Sequence, residues 1–301
     1  MTRVYAAKGE DRILDDDARA AARGSFVTLS GGVTHYELAG PGDGPLVLLV
    51  PGITIPLGYW DEVAADLHAG GLRTLAYSAY GRGWSDRVEG PYDQALFLRQ
   101  LDELVAAVGA PEPLHLVGTS MGGLLAMAYA TRDRAVTPSS MTLIGPAGLT
   151  EPSRLVTRLL SIDPPARLLG TFFGRRALGK HLAHNVRSSD DADRLIRLVG
   201  EPYRFHGSIH ALLSTLRDFP LAARHELYRR AGRLPIPTMV LWGRHDQVTP
   251  IEHLGTVRDL LRPDECHVIA GCGHMAPFED PHGTARLLAT FVQQTTGGRL
   301  T

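Results

Sequence analysis

Five consecutive apolar side chains, Leu46-Val47-Leu48-Leu49-Val50, constrain this chain more than any other segment. Successive side chains of a strand point to opposite faces, so a strand with no polar alternation has to be covered on both. Helices packed on either side of a parallel sheet provide that cover. The rest of the sequence repeats the arrangement. A helix over about 60–69 precedes strand 72–78 (LRTLAYS). A longer helix over about 92–108 sets Leu96, Leu98, Leu101, Leu104, Val105 and Val108 near helical spacing. Strand 114–117 (LHLV), a helix opening at Met121 and strand 141–145 (MTLIG) follow. After residue 233 come strand 238–242 (TMVLW), a helix over about 251–261, strand 266–270 (CHVIA) and a final helix near 283–294. This alternation predicts an α/β fold with a mostly parallel sheet and helices on both faces.

Two stretches depart from that rhythm. Residues 1–24 read as a charged, partly helical lead-in, after which 25–29 (SFVTL) and 33–38 (VTHYEL) flank Ser30-Gly31-Gly32 as a β-hairpin. Residues 149–233 hold helical pieces and several prolines but no convincing strand. They carry 15 Lys and Arg against 8 Asp and Glu, a net +7, and leave 16 against 24, a net −8, for the remainder. We read 149–233 as an inserted helical unit, with 1–148 and 234–301 forming the core domain.

Composition narrows the partners. A formal charge of −1 offers no general attraction to nucleic acid or an anionic membrane. Acids and arginines interrupt the first 24 residues, which excludes a signal peptide there, and no run approaches the roughly 18 apolar residues of a membrane span. A cytoplasmic protein is expected. The two cysteines, Cys266 and Cys272, are too few for a disulfide framework and lack zinc-site spacing. No metal or other cofactor is expected, and nothing fixes an oligomeric state.

The chemistry centres on Gly118-Thr119-Ser120-Met121-Gly122, a G-x-S-x-G sequence. A chain of this composition yields roughly 0.15 such matches by chance, so its setting matters. It directly follows the strand 114–117 and directly precedes a helix-forming stretch, as a nucleophile elbow requires. So tight a turn strains the serine backbone, and small flanking residues avoid collisions. The amide of Met121, at a helix N-terminus, then points where the serine hydroxyl stands.

A serine nucleophile needs a base, and the base needs an orienting acid. Asp246 lies in the loop after strand 238–242 and His274 in the loop after strand 266–270, so both belong to the sheet edge that carries Ser120. The chain order is Ser, Asp, His. His245 competes as base and Asp86 and Asp102 as acid; His35, His68, His115, His210 and His282 lack a comparable setting. A second oxyanion donor is expected from the loop Val50-Pro51-Gly52-Ile53-Thr54, with the Ile53 amide paired to that of Met121.

Taken in order, Pro51-Gly52-Ile53, Tyr80-Gly81-Arg82-Gly83-Trp84-Ser85-Asp86, Gly118-Thr119-Ser120-Met121-Gly122-Gly123, Trp242-Gly243-Arg244-His245-Asp246 and Gly273-His274 resemble the α/β-hydrolase superfamily from about residue 25 to 294. The resemblance implies an eight-stranded sheet with a helical cap, for which 149–233 is the candidate. It is strongest toward small capped esterases, monoacylglycerol-lipase-like enzymes and carbon–carbon hydrolases. Many relatives have His-Gly where Pro51-Gly52 stands and an aspartate at the place of Ser78. Ser120 excludes the branch that uses an aspartate nucleophile. The activity this implies is cleavage of a carboxylic ester, lactone or thioester. Carbon–carbon hydrolysis, acyl transfer or cyclisation on the same site, or a small-molecule receptor, are the alternatives. The partner is a small molecule with an apolar acyl or ring group, for which Phe172, Phe173, Tyr203, Phe205, Phe219 and Tyr228 could line the cap's underside if they do not simply pack its helices together.

Overall fold

The computed structural model describes residues 4–110, 113–132, 138–151 and 163–297. The first residues of the lead-in and residues 152–162 of the expected insertion lie outside them. Eight strands form one sheet: β1 (Ser25–Leu29), β2 (Gly32–Ala39), β3 (Leu46–Val50), β4 (Arg73–Tyr77), β5 (Leu114–Thr119), β6 (Ser140–Ile144), β7 (Thr238–Gly243) and β8 (Glu265–Ile269). Their spatial order is β1-β2-β4-β3-β5-β6-β7-β8. β2 runs antiparallel to both β1 and β4, and every other pairing is parallel. Leu29 pairs with Gly32, so Ser30 and Gly31 make the hairpin turn.

Both faces of the parallel strands are covered, as the run 46–50 requires. Leu46, Leu48 and Val50 pack in one core with α3 (Gln94–Ala107), α4 (Met121–Ala130), α8 (His225–Ala231) and α9 (His253–Leu261). Val47 and Leu49 face the other core, with α2 (Asp61–Ala69) and α11 (Pro281–Gly297). The long helix begins later than its periodicity suggests because the Asp93 side chain accepts the Leu96 N–H and caps it. The short α10 (Ala276–Glu279) precedes α11.

Between β6 and β7 the described residues form α5 (Asp163–His184), α6 (Ser189–Gly200), a 3₁₀ turn at Pro202–Arg204, α7 (Ser208–Asp218) and α8, with no strand among them. α8 packs on α4 and α9, inside the sheet's own helix layer. Of the aromatics noted above, Phe172 and Phe173 are exposed, whereas Tyr203, Phe205, Phe219 and Tyr228 are buried and pack.

Among its described residues the lead-in is helical only over α1 (Asp16–Ala20). Ahead of it the chain runs along the insertion: Lys8 N–H donates to Thr171 O, Arg12 N–H to Arg204 O, and His206 N–H back to Arg12 O. The Glu10 carboxylate is buried and accepts the N–H groups of Ala7, Gly207 and Ile209, capping α7 from a distant part of the chain. No local pattern in 1–24 announces that partner.

β3 leads to β4 on one side, and the chain later crosses to β5 on the other. The strand order reverses there, and the loops after β3 and β5 face each other across the gap, which is where sheets of this kind bind ligands.

Candidate active site

Ser120 occupies a backbone conformation, φ 52° and ψ −117°, that non-glycine residues rarely adopt. Neighbouring close approaches enforce it. A Cβ on Gly118 would lie 2.3 Å from Gly122 O, and one on Gly122 would lie 2.3 Å from Val50 O. The two glycines therefore let α4 start hard against β5 and β3. The elbow is also tied to β6, since Ser120 N–H donates to Ile144 O at 3.0 Å and Ser120 O accepts from Gly123 and Ala147. Such a conformation costs about 1–3 kcal/mol and persists only where its surroundings over-determine it.

The acid and base loops are laced together at the ends of β7 and β8. Arg244 N–H donates to Ile269 O and His245 N–H to Cys272 O. Gly243 passes so close to Gly273 O that no side chain fits there. This brings Asp246 Oδ2 to 2.8 Å from His274 Nδ1, with both residues 4 % exposed. Oδ1 of Asp246 accepts the N–H groups of Val248 and Thr249, and Oδ2 also accepts the Thr249 hydroxyl at 2.8 Å. An acceptor so surrounded requires the hydrogen of the imidazole on Nδ1 and leaves a lone pair on Nε2.

Four further residues support this pair from outside the motifs. Gly145, φ +48°, lets the chain pass beside the pair, because a Cβ there would sit 3.0 Å from Asp246 Oδ2 and 3.4 Å from His274 Nδ1. Thr249 stands three residues after Asp246, and its hydroxyl also reaches Gly145 O; that spacing, common where an aspartate organises its own turn, is a usable signal. Asn185, just past α5, accepts the His274 N–H through its carbonyl. Glu279 accepts the N–H groups of both Gly273 and Arg187, and burial pushes its carboxyl above the ordinary range.

Across the gap, Gly52 abuts the elbow, with a Cβ there falling 3.5 Å from Ser120 Cβ. The Ile53 and Met121 amides have no acceptor among the described residues. Nor does the Ser120 hydroxyl hydrogen-bond to His274 among them; the elbow and the acid–base pair are linked through β6, by Ile144 O and Gly145. Ser78 accepts the Leu57 N–H after the β3 loop.

The competitors stand elsewhere. His245 is exposed. Asp86 accepts the Val33 N–H and pairs with Arg19, and Asp102 pairs with Arg132. His115 bonds Ser140 and Thr296, and His282 pairs with Asp66. Both cysteines are free thiols, and burial pushes Cys272 up to about 12, which keeps it protonated and unreactive. No cluster of three His, Cys, Asp or Glu side chains fit to hold a metal occurs among the described residues. No helix among them is long and apolar enough to cross a membrane.

The sequence model of the alpha/beta hydrolase family matches residues 47–287. The chain belongs to that family. It is a hydrolase whose inserted helices and eight-stranded sheet follow the family's architecture. The chain is similar to monoacylglycerol lipase abhd6-B of Xenopus laevis, at 27 % identity over 261 residues, covering 84 % of this chain and 76 % of that one. Among solved structures it resembles a thermophilic esterase from Thermogutta terrifontis, with a TM-score of 0.73 and 20 % identity over 91 % of this chain and 99 % of that one. It also resembles an enol-lactonase from Burkholderia xenovorans, with a TM-score of 0.72 and 19 % identity over 89 % and 100 % of the two chains.

Proposed function

We propose that this hydrolase cleaves carboxylic esters through an acyl-enzyme on Ser120, with His274 as base, Asp246 as its orienting acid, and the Ile53 and Met121 amides as oxyanion donors. The observation that carries the reading is the buried 2.8 Å Asp246–His274 hydrogen bond, at the sheet edge that also holds the strained Ser120. Nε2 of His274 takes the Ser120 proton as Oγ attacks the carbonyl carbon. The tetrahedral oxyanion is held by the two amides, and the imidazolium returns its proton to the leaving alkoxide. Water, deprotonated by the same nitrogen, releases the acid and frees Ser120. The reading requires the Ser120 hydroxyl to reach Nε2 in the substrate complex, where catalytic hydrogen bonds of this kind tighten.

The substrate is an ester with an apolar acyl chain, of the monoacylglycerol type. The similarity to a protein named for that activity supports this class. The inserted helices α5 to α7 are the part of the expected cap that encloses the acyl chain. A panel of p-nitrophenyl esters, monoacylglycerols, lactones and vinylogous diketones, run beside Ser120→Ala, tests the reading. Ester turnover abolished by Ser120→Ala is the expected result; diketone cleavage without esterase activity, or full activity in Ser120→Ala, would overturn it.

A further inference from the structure

Arg82 is fully buried, yet it forms no ion pair with a carboxylate among the described residues. Burial of an uncompensated guanidinium is expensive, and an apolar side chain of the same volume is often the more stable choice. Its three bonds suggest what the charge is for. Nε donates to the Ile53 carbonyl at 2.6 Å, one terminal nitrogen donates to Tyr80 O at 3.0 Å, and the other donates to Thr215 Oγ1 at 2.8 Å. The rings of Tyr92 and Phe97 lie 5.9 and 5.7 Å from its central carbon. The backbone around it is threaded tightly. A Cβ on Gly81 would strike Ala211 of α7 at 2.4 Å, and one on Gly83 would strike Ser78 Oγ at 2.2 Å. The guanidinium is therefore fixed between the β3 loop and an inserted helix.

The bond to Ile53 O is short and charge-assisted, the strong class of hydrogen bond. Holding that carbonyl fixes the peptide that follows Ile53 and, with it, the path of a loop whose preceding residue, Gly52, abuts the elbow. Thr215 donates its own hydroxyl hydrogen bond to Ala211 O, so its oxygen is oriented to accept from Arg82. We propose that Arg82 is a positioning residue that sets the Ile53 amide for the oxyanion, and that the Thr215 bond makes this setting depend on a seated α7. The inference rests on the ester-hydrolase reading above, in which Ile53 supplies an oxyanion donor.

The test compares wild type, Arg82→Met, Arg82→Lys and Thr215→Val by circular dichroism melts, by kcat and KM on p-nitrophenyl butyrate, and by inhibition with an alkyl trifluoromethyl ketone. Ser120 adds to the ketone and leaves an alkoxide in the oxyanion site, so its Ki reports that site. Arg82→Met is expected to lower kcat about 10- to 100-fold, a fraction of the full loss of an oxyanion donor. KM should stay within about threefold, and the ketone Ki should rise by a factor comparable to the fall in kcat. Arg82→Lys, which keeps the charge and a donor, should recover at least a third of the loss on a logarithmic scale. Thr215→Val should lower kcat about threefold to tenfold with the same split. A purely structural residue would instead change melting without moving kcat and Ki together. Unchanged kcat and Ki in folded Arg82→Met overturns the proposal; if that variant does not fold, unchanged values in both Arg82→Lys and Thr215→Val do so. Activity surviving Ser120→Ala would instead overturn the underlying reading.

Discussion

Asp246 Oδ2 lies 2.8 Å from His274 Nδ1, while the two backbone N–H groups of Val248 and Thr249 occupy the other carboxylate oxygen. This division decides what an amide would do at position 246. In Asp246→Asn the backbone donors hold the amide oxygen, which turns the NH₂ toward His274. The imidazole must then present its lone pair at Nδ1 and its hydrogen at Nε2, a tautomer that cannot accept the Ser120 proton. The variant is expected to fold as wild type by circular dichroism and to lose about 10⁴ in kcat. Near-normal turnover of p-nitrophenyl butyrate would move the acid role to another residue.

Gly122 meets Val50 O and Pro51 O, the start of the loop that faces the elbow. A methyl group there would need backbone, not a side chain, to move. Gly122→Ala should destabilise by about 2–3 kcal/mol and lower the melting temperature by roughly 4–12 °C. Because the displaced backbone leads into Ile53, kcat should fall as well. A variant with wild-type melting and turnover would show that the elbow yields more easily than its contacts imply.

What could be read from the chain divides along physical lines. The two-sided burial of Leu46–Val50 is legible because a strand has a period of two and these residues offer no polar face. The elbow is legible because its glycines are required by collisions within a few residues. Asp246 and His274 could be nominated because parallel strands deliver their following loops to one edge. Gly145 and Arg82 are not legible, since each acts through a contact that only the folded sheet creates, whereas Thr249 is marked by its spacing from Asp246. The lead-in is legible as charged and partly helical, but its docking is not: Glu10 meets the amide of Ile209, 199 positions away, a pairing no periodicity encodes.

That pairing makes its own prediction. The Glu10 carboxylate satisfies two N–H groups at the start of α7 and one in its own turn, all in a buried setting. Losing a helix cap costs about 1 kcal/mol, and hydrogen bonds to a charged group contribute about 1.5–3 kcal/mol. Glu10→Ala should therefore lower stability by about 2–3 kcal/mol. Limited proteolysis should show faster cleavage within 163–218, where the segment is docked. Cleavage at the wild-type rate, with unchanged melting, would mean that the lead-in does not hold the insertion.

His115 on β5 is fully buried, with Nδ1 2.8 Å from Ser140 Oγ and Nε2 3.2 Å from Thr296 Oγ1, and burial lowers its pKa to about 4. The unfolded chain takes up a proton at this position near 6.5, whereas the folded protein resists until about 4. Below 6.5 the unfolded state therefore binds more protons, and stability falls as pH drops from 6.5 to about 4 before levelling. The full effect is about 3 kcal/mol. His35 and His181 shift in the same direction, also chiefly through burial, so the whole protein should lose stability toward acid. His115→Asn keeps a hydrogen-bonding group toward Ser140 and removes one titration. Urea unfolding at pH 7.5, 5.5 and 4.5 should give the variant lower stability at pH 7.5 but a shallower decline toward acid. Parallel declines in the two proteins would show that protonation of His115 does not contribute to the acid sensitivity.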